Sequence, residues 1–315
     1  MSKVNDPMVF VIIVTYNGMK WLPNCLESLA NSTLPSTIVV IDNNSTDATV
    51  SYIKEHRKNV VLFEQPTNLG FGAANNIGMH YALQHNPDYV FLLNQDTKLE
   101  ADAIEKLIAV ASRNPEYGIL SPIQLDYSGD LLEDCFYFFM AEQADKSFYS
   151  DAVLGKDLKE IYELRFVQAA SWLLPKNTLL TVGGFDPIFY HYGEDNNYCY
   201  RTLYHGLKIG VCPGTYVRHD STAKLAVEAP LFSEKYFKDY QLSILHKYCN
   251  ISMNLGEQEI LFEIRKNQIS SFKALLKCNL VQFKGYSKKA MILKNYKESI
   301  LLSRKNNLEK RANYL

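Results

Sequence analysis

Four short apolar segments alternate with helix-like segments in the first hundred residues, and this alternation limits the chain to one class of fold. The apolar segments hold mostly β-branched, leucine and aromatic side chains, as in strands that are buried on both faces. They comprise residues 9–14, 38–41, 60–63 and 88–93. Between them apolar residues recur at helical spacing, as in Trp21, Cys25 and Leu29. Alternating units of this kind predict an α/β fold with a Rossmann-like, mostly parallel sheet, right-handed crossovers and helices on both faces.

Beyond residue 100 the regular units give way to a mixed region and then to helices. We predict helices at 101–113, at 178–182 and around 194–201, and strands at 118–122, 166–175, 209–212 and 216–219. Residues 126–165 are aromatic and acidic but show no period, so no element is assigned to them. From about residue 232 the apolar spacing is helical only, which predicts a helical C-terminal region.

Charge is distributed unevenly along the chain. The whole chain has 33 Lys and Arg against 34 Asp and Glu, whereas residues 264–315 hold thirteen basic residues and two acidic ones. As helices this tail would be amphipathic and cationic, which favours peripheral contact with an anionic membrane surface. A basic helical bundle that packs on the α/β domain explains the pattern equally well. Nucleic-acid binding would use the same charge, but the sequence has no recognition motif for it, so no nucleic-acid partner is predicted.

Composition and cysteine spacing exclude several other classes of protein. No apolar stretch approaches the ~20 residues that a membrane-spanning helix requires. Residues 8–14, which lie between Asp6 and Thr15, are predicted to be a strand rather than a signal peptide. The six cysteines include no Cys-x-x-Cys pair, so neither a zinc site nor a disulfide framework is indicated. We therefore expect a cytoplasmic protein in a reducing compartment.

Three of the predicted strands end in clusters of polar side chains. The clusters are Thr15-Tyr16-Asn17, Asp42-Asn43-Asn44 and Asn94-Gln95-Asp96. The carboxyl ends of parallel strands meet at one edge of a sheet, so these loops would line a single crevice suited to a nucleotide. Taken singly, each cluster could also be a turn whose side chains bond to their own backbone. Beside a nucleotide, Asp96 becomes a candidate ligand for a divalent metal.

A second metal ligand is needed, and the later part of the chain offers two candidates. Glu194-Asp195 follows a glycine at the start of a predicted helix, and His219 ends a predicted strand. Each also has an ordinary explanation, since acidic residues are favoured at helix N-termini and a histidine at a strand end can simply be hydrogen-bonded.

The glycines at positions 70 and 72 follow the third predicted strand, where a Gly-rich turn can approach a phosphate closely. A dinucleotide fingerprint would place its third glycine at Asn75, and it would also require an acidic residue about 20 positions later in the same unit. The chain has Asn75 instead and no such acidic residue, so a Rossmann dinucleotide site is not predicted. A P-loop is excluded because no GxxxxGK[ST] motif occurs.

Seven short motifs occur in an order that resembles the rhamnosyltransferase-like branch of the family 2 glycosyltransferases. They are Val14-Thr15-Tyr16-Asn17, Ile41-Asp42-Asn43-Asn44-Ser45-Thr46-Asp47, Asn68-Leu69-Gly70-Phe71-Gly72, Leu93-Asn94-Gln95-Asp96, Gly183-Gly184-Phe185-Asp186, Gly193-Glu194-Asp195 and Arg218-His219. The resemblance covers about residues 8–220. It implies a GT-A fold, an inverting mechanism and a nucleotide-diphosphate sugar donor bound with Mg²⁺ or Mn²⁺.

The resemblance also assigns roles to individual residues. Asp195 would be the catalytic base, and Glu194 would hold the acceptor or orient the base. Asp96, the last carboxylate of the family's DxD motif, and His219 would bind the metal. The donor-binding residues would be Thr15, Tyr16, Asn17, Asp42, Asn68, Gly70, Asn75, Asn94, Gln95 and Asp96. The chain departs from the DxD pattern at its first position, where Asn94 leaves metal binding dependent on one carboxylate.

Residues 166–172 precede the Gly183-Gly184 break and are predicted to lie beside the sugar. Gln168 and Trp172 are therefore assigned to the acceptor, although Trp172 could equally be a core residue. His191 and Tyr192 are assigned to the acceptor because they directly precede the predicted catalytic carboxylates. We divide the chain into a catalytic domain, residues 1–230, and a basic helical region, residues 231–315. The domain has a nucleotide-binding half of about 8–125 and an acceptor-binding half of about 126–230.

The predicted function is transfer of a sugar from a nucleotide donor to a hydroxyl of a cell-surface glycan or lipid-linked acceptor. Rhamnose is one candidate for the sugar. The enzyme would act in the cytoplasm or at the inner face of the membrane. Sugar transfer needs charge neutralisation on the leaving diphosphate and a general base near the acceptor hydroxyl. One alternative is a sugar nucleotidyltransferase, which needs a basic Gly-rich loop, whereas residues 15–18 have no basic side chain before Lys20. Another is an inactive sugar-nucleotide-binding protein, which Asn94 leaves open.

Overall fold

The computed structural model describes residues 6–143, 147–221 and 229–315. Its N-terminal part alternates strands and helices as predicted. These elements are β1 (Val9–Thr15), α1 (Leu22–Ala30), β2 (Thr37–Asp42), α2 (Thr49–His56), β3 (Val61–Glu64), α3 (Phe71–Gln84) and β4 (Tyr89–Asn94). The four strands predicted in this region are confirmed, with bounds that differ by one or two residues.

The middle of the chain contains more elements than the sequence indicated. They are β5 (Thr97–Leu99), α4 (Ala103–Arg113), β6 (Tyr117–Leu125), α5 (Asp134–Gln143), α6 (Ser147–Val153), β7 (Tyr162–Leu164), β8 (Ser171–Pro175), α7 (Lys176–Thr181), α8 (Glu194–Tyr204) and β9 (Lys208–His219). The strand predicted at 166–175 begins only at Ser171. The two strands predicted at 209–212 and 216–219 are one strand, because β9 stays paired with β6 through a register shift after Cys212. Such a bulge keeps a strand continuous past residues that would otherwise make a turn.

The strands form one nine-stranded sheet over the described residues, in the order β3-β2-β1-β4-β8-β6-β9-β5, with β7 beside β9. Neighbouring strands are parallel for β1 with β2, β1 with β4, β2 with β3 and β6 with β9. Strands β5, β7 and β8 run antiparallel to their neighbours. The predicted mostly parallel sheet is confirmed, and β8 joins its two halves.

Apolar residues of β1 alternate between two core clusters on opposite faces of the sheet. Val11 and Ile13 pack with buried residues of α1 and α4. Phe10 and Ile12 pack with residues of α3 and α8. Gly78 lets α3 approach the sheet closely, since a Cβ there would lie 2.5 Å from Ile12 Cγ2. The predicted helices on both faces are therefore confirmed, and they leave the carboxyl ends of β1, β2 and β4 free to form a site.

Three helices follow the sheet: α9 (Glu234–Cys249), α10 (Glu257–Leu276) and α11 (Leu280–Asn307). Their shared apolar cluster includes Phe189 from the loop before α8. A second connection is polar, because the buried carboxylate of Asp186 accepts hydrogen bonds from Ser303 Oγ at 2.6 Å and Asn307 Nδ2 at 2.7 Å. The helical C-terminal region is as predicted. Among the described residues no helix combines the length and hydropathy needed to cross a membrane.

Candidate active site

The ends of three neighbouring strands bring the predicted polar clusters to one place. In the sheet register Thr15 pairs with Asp42, and Val14 pairs with Asn94. The loops that follow these strands, together with residues 190–191, enclose a cavity of 390 Å³. Seven predicted site residues line it: Tyr16, Asn68, Gly70, Asn94, Gln95, Asp96 and His191. Asn43, from the predicted cluster after β2, lines it too, as do Val14, Phe71 and Tyr190, which were not assigned to the site from sequence.

The side chain of Gln95 fixes the loop that follows β1. Its Oε1 accepts hydrogen bonds from Thr15 Oγ1 at 2.6 Å and from the Tyr16 amide at 3.1 Å. Gly18 makes room for this arrangement, since a Cβ there would lie 2.4 Å from Gln95 Oε1. Tyr16 keeps 47% of its surface exposed, so its ring is free to contact a ligand. Thr15 is fully buried, and its hydroxyl positions Gln95. Contact of its side chain with the donor stays a prediction.

Asn17 joins the loops after β1 and β2. Its backbone is left-handed, with φ of 48°, and its amide donates to Ser45 Oγ at 2.9 Å. Its side-chain Oδ1 accepts the amide hydrogen of Thr46 at 2.8 Å. Asp42 holds the same loop, since its Oδ2 accepts the Ser45 amide hydrogen at 2.9 Å. The other carboxylate oxygen of Asp42 is buried and has no partner among the described residues, which makes it available to a ligand hydroxyl.

The turn before α3 is built by two asparagines. Asn68 Oδ1 accepts the Gly70 amide hydrogen at 2.9 Å, and Asn43 Nδ2 donates to the Gly70 carbonyl at 3.1 Å. Gly70 has φ of 81°, and a Cβ there would lie 2.0 Å from the Tyr190 carbonyl oxygen. The loop before α8 therefore passes directly over this turn. Asn75 is one turn further into α3, where it is buried and donates to the Phe71 carbonyl. Its assignment to the donor stays a prediction.

The two predicted metal ligands lie side by side. Thr97 of β5 pairs with His219 of β9, and this register places Asp96 Oδ1 3.4 Å from His219 Nε2. Asp96 Oδ1, Asn94 Oδ1 and His219 Nδ1 are all buried without a hydrogen-bond partner in the part of the chain that the structure describes. No group of three or more His, Cys, Asp or Glu suited to a metal occurs within residues 6–143, 147–221 and 229–315.

A two-ligand site of this kind fits Mg²⁺ or Mn²⁺ in a substrate complex. Mg²⁺ is usually held by one or two carboxylates together with substrate phosphates and water. The unpartnered oxygens of Asp96 and Asn94 are of the hard type that such ions prefer. Asp220 anchors the neighbouring backbone, because its carboxylate pairs with Lys20 Nζ at 2.9 Å and accepts the indole hydrogen of Trp21. The residues present therefore fit a metal whose remaining ligands come from a diphosphate.

Glu194 and Asp195 begin α8, immediately after Gly193, whose φ of 92° is left-handed. Burial raises the pKa of Glu194 to about 7, with a further contribution from the charge of Asp195. Burial also raises the pKa of Asp195 to about 6, although interactions with backbone amides, including that of Ala169, act in the opposite direction and lower the pKa. Both carboxyl groups can therefore exchange a proton near neutral pH, as acid–base catalysis requires.

Asp195 is tied to the end of β4 through the backbone. The Ala169 amide lies close enough to its carboxylate to lower the pKa of that group, and the adjoining Ala170 carbonyl accepts the Asn94 amide hydrogen at 2.9 Å. Glu194 lies against the start of α3, since a Cβ on Gly72 would be 3.5 Å from Glu194 Cβ. The carboxylate pair thus borders the elements that form the cavity.

The four residues assigned to the acceptor have different surroundings. Trp172 is fully buried, with its ring stacked on Phe185 and tilted against Tyr198. This matches the alternative of a core residue, and its acceptor contact stays a prediction. Gln168 is partly exposed and donates to Gln124 Oε1 and Glu133 Oε2, both at 2.7 Å.

His191 and Tyr192 are exposed, and their rings contact each other. They line a second cavity, of 430 Å³, between the loop before α8 and helices α9 and α11. This second cavity shares Tyr190 and His191 with the first. Sequence reasoning missed its other wall, which includes Lys238, Asp239 and Tyr296, because nothing in the sequence signals that α11 returns to the site.

Comparison with known families identifies the segment that carries the strand-end clusters. Residues 10–133 match the profile of the family described as glycosyl transferase family 2. This segment is a family 2 glycosyltransferase domain. It includes the donor-side residues and Asp96, whereas Asp195 and His219 lie beyond the match.

Several curated glycosyltransferases are similar to the chain. The dTDP-rhamnosyl transferase RfbF of Shigella flexneri is 20% identical over 292 residues, which are 88% of this chain and 96% of that protein. The N-acetylglucosaminyl-diphospho-decaprenol L-rhamnosyltransferase of Mycobacterium tuberculosis is 26% identical over 59% of this chain and 67% of its own length. Glycosyltransferase GlyA of Streptococcus pneumoniae is 28% identical over 53% of this chain, but the match spans about a quarter (24%) of that protein.

Solved glycosyltransferase structures share the fold. The structure of GalNAc-T7 with UDP, GalNAc and Mn²⁺ aligns with a TM-score of 0.58 and 17% identity, covering 98% of this chain and 56% of that one. The mannosyltransferase PcManGT of Pyrobaculum calidifontis, in complex with GDP-Man and Mn²⁺, aligns with a TM-score of 0.52 and 18% identity over 79% of this chain and 64% of that one. The predicted GT-A fold is confirmed.

Proposed function

We propose that this glycosyltransferase is an inverting enzyme that moves a sugar from a nucleotide-diphosphate donor to a hydroxyl of a glycan or lipid-linked acceptor. The observation that carries the proposal is the placement of two pairs of side chains around one cavity. Asp96 lines the cavity, and its Oδ1 lies 3.4 Å from His219 Nε2. Glu194 and Asp195, whose pKa values are raised, begin α8 beside the start of α3.

The donor nucleotide occupies the cavity at the strand ends in this proposal. Tyr16 stacks on the base, and the unpartnered oxygen of Asp42 accepts a ribose hydroxyl hydrogen. The diphosphate lies beside Asp96 and the turn at Gly70, where a glycine leaves room for close approach. Asp96 and His219 would hold Mg²⁺ or Mn²⁺, which when bound would supply positive charge that stabilises the leaving diphosphate. Asn94 contributes an amide oxygen in place of a second carboxylate.

Asp195 is the general base. With a pKa of about 6 it is ionised at neutral pH, and it takes the proton of the acceptor hydroxyl as that oxygen attacks the anomeric carbon. The bond from this carbon to the diphosphate breaks as the new glycosidic bond forms, so a single displacement inverts the anomeric centre. One carboxylate suffices, whereas a glycosidase needs a second as acid. Glu194 orients Asp195 or holds the acceptor.

The acceptor approaches through the second cavity, whose exposed aromatic side chains His191 and Tyr192 suit the apolar faces of sugar rings. A wall shared by the two cavities would bring acceptor and donor together at Tyr190 and His191. Two relatives named as rhamnosyltransferases, one acting on a decaprenol diphosphate, support a rhamnose donor and a lipid-linked acceptor.

The proposed location is the cytoplasm, at the inner face of the membrane. The proposed unit boundary remains near residue 230.

A sugar nucleotidyltransferase is less compatible with the site. Such an enzyme needs a basic loop at the nucleotide phosphates. The first basic residue after β1 is Lys20, and its ammonium group is paired with Asp220 at 2.9 Å. One observation favours a sugar-nucleotide-binding protein without catalytic activity, namely that Asn94 replaces the first carboxylate of the DxD motif.

A donor panel tests the proposal. Thermal unfolding of the full chain is measured with Mn²⁺ and dTDP-rhamnose, UDP-N-acetylglucosamine, UDP-glucose or GDP-mannose, because a ligand bound to the native state raises Tm. We expect one donor to raise Tm and to be turned over with release of its nucleoside diphosphate. A donor that binds but is never turned over with any acceptor would favour the inactive binding protein. No response to any sugar nucleotide would contradict the proposal.

A further inference from the structure

The hairpin of α10 and α11 ends in a tip with large apolar side chains facing solvent. The hairpin tip is defined here as residues 272–284. Its side chains Phe272, Leu276, Leu280 and Val281 are 60%, 69%, 59% and 68% exposed. Scattered single apolar residues are ordinary on a protein surface, but a contiguous group marks an interaction site.

The interior of the hairpin near its tip is small and partly polar. Ser271, Ala274, Gly285 and Ala290 are buried between the helices. Ser271 Oγ donates to the Phe283 carbonyl at 3.0 Å and lies 2.7 Å from Ser287 Oγ. A water-exposed amphipathic helix buries its large apolar side chains and exposes its polar ones. The hairpin tip instead leaves several of its large apolar side chains exposed, which suits an apolar environment outside it.

The charge around the tip is uniformly positive. Residues 264–297 contain nine Lys and Arg and no Asp or Glu. Lys273, Lys277 and Lys284 are exposed. Within the described residues they form no ion pair, in contrast to Lys297, which pairs with Glu257 at 2.7 Å. The partner of the tip must therefore accept apolar side chains and attract several cations at once.

These two requirements choose between possible partners. A second copy of the chain would bring two strongly cationic tips together, and like charges repel. A nucleic acid would satisfy the lysines but not Leu276, Leu280 and Val281, because phosphate contacts need no apolar insertion. An anionic bilayer satisfies both, since apolar side chains enter the acyl boundary while lysines remain at headgroup level.

We propose that the hairpin tip docks the enzyme on an anionic lipid bilayer, with Leu276, Leu280 and Val281 inserted and Lys273, Lys277 and Lys284 at the headgroups. This docking does not depend on the proposed sugar transfer. A consequence for the acceptor does rest on the proposed function. Tyr296 of α11 lines the second cavity, and the helix from Leu280 to Tyr296 has a length of ~24 Å at 1.5 Å per residue. One rigid helix thus sets the distance between bilayer and acceptor cavity.

Vesicle co-sedimentation of the full chain tests the docking. The vesicles contain phosphatidylcholine alone or phosphatidylcholine with one quarter phosphatidylglycerol. We expect binding to the anionic vesicles only. Leu276→Asp combined with Val281→Asp, and Lys273→Glu combined with Lys277→Glu and Lys284→Glu, should each weaken it by more than about tenfold. All five positions are exposed, and an unchanged Tm in both variants verifies folding.

Matched controls come from the α/β part of the chain. Leu154 is 67% exposed and Lys58 is exposed, so Leu154→Asp and Lys58→Glu change the same side-chain types away from the tip and should leave binding intact. The proposal is overturned if the wild type does not sediment with anionic vesicles or if both tip variants bind as well as the controls. It is also overturned if Leu276→Asp abolishes a dimer in ultracentrifugation while no vesicle binding occurs. The rise in Tm on adding the donor is measured for wild type and for each tip variant. We expect it to be the same in all of them, and this separates a failure of membrane docking from a failure of the proposed function.

Discussion

Asp96 Oδ1 lies 3.4 Å from His219 Nε2 because a three-residue strand, β5, pairs antiparallel with the end of β9. The strand places the last residue of the DxD-like motif against a histidine from the far end of the sheet. Asn94, at the first position of that motif, faces the same region with a buried Oδ1 that has no partner among the described residues. The pairing of β5 with β9 therefore supplies the second ligand that the DxD-like motif itself lacks.

Removing either member of this pair should weaken metal-dependent donor binding. We expect Asp96→Asn and His219→Ala each to reduce donor affinity in the presence of Mn²⁺ by at least about tenfold, since each leaves a single protein ligand. Titration calorimetry with the donor, with Mn²⁺ or with EDTA, measures the effect. Asp157→Asn, an exposed carboxylate elsewhere, is the matched control. Wild-type donor affinity that is the same in Mn²⁺ and in EDTA would disprove the metal assignment.

The buried carboxyl of Glu194 should make stability depend on pH. Its pKa is raised from 4.5 to about 7, so the native state binds this proton more tightly than the unfolded state does. Its favourable contribution is present below about pH 4.5 and is lost as the pH rises through about 7. The free energy of unfolding of Glu194→Gln should therefore exceed that of wild type by about 1–3 kcal/mol at pH 8. At pH 4 the two proteins should have similar free energies of unfolding.

Urea unfolding at the two pH values measures this difference. Glu55→Gln, at an exposed carboxylate on α2, should show no comparable change between them. A Glu194→Gln variant with the same stability increment at both pH values would show that the carboxyl is not desolvated in the native state.

The close approach of Gly70 to the Tyr190 carbonyl should make position 70 intolerant of a side chain. Gly155 offers a matched control, because its φ of 62° is also left-handed but a Cβ there would meet nothing within 4 Å. Both alanine variants incur about 1 kcal/mol of backbone strain, and only Gly70→Ala must also displace the loop before α8. We expect Gly70→Ala to lower Tm further and to weaken donor binding by calorimetry. Equal Tm losses and intact binding would contradict this contact.

Asp186 should couple the helical region to the α/β part of the chain. Asp186→Ala leaves buried Ser303 without its acceptor and leaves Asn307 with only the longer bond to Ser303 Oγ. This loss should cost about 3 kcal/mol, whereas Ser303→Ala should cost about 1 kcal/mol. In the double variant the two losses should not add, because the Ser303 hydrogen bond is already absent. Denaturant unfolding of the four proteins measures the cycle. Additive losses would mean that the hydrogen bond between Asp186 and Ser303 does not stabilise the fold.

The strand ends were predictable because buried parallel strands leave an unambiguous apolar pattern. The sequence placed Tyr16, Asp42 and Asp96 at neighbouring strand ends, and the sheet register brings them together. The direction in which individual side chains point was harder to predict from the sequence. Trp172 lies on the interior side of β8, and Thr15 lies beneath Gln95, which depends on pairings that the sequence does not reveal.

Other elements had no readable pattern. Strand β5 has only three residues, and its stability comes from pairing with β9. In α5, Phe136 and Met140 are buried while Tyr137 and Phe138 are exposed, so apolar residues occur on several sides and no helical period stands out. Strand β9 contains Pro213-Gly214, which resembles a turn, and it is continuous only because of the bulge against β6. Tertiary contacts decide the structure at each of these places.

The most direct test of the account separates donor binding from sugar transfer at Asp195. With the donor identified by the panel and Mn²⁺ present, release of nucleoside diphosphate in the presence of acceptor is measured for wild type and Asp195→Asn, with donor affinity measured in parallel. The account predicts that Asp195→Asn binds the donor as wild type does and transfers at a rate lower by a factor of about 10² or more. Transfer by Asp195→Asn at the wild-type rate would contradict it.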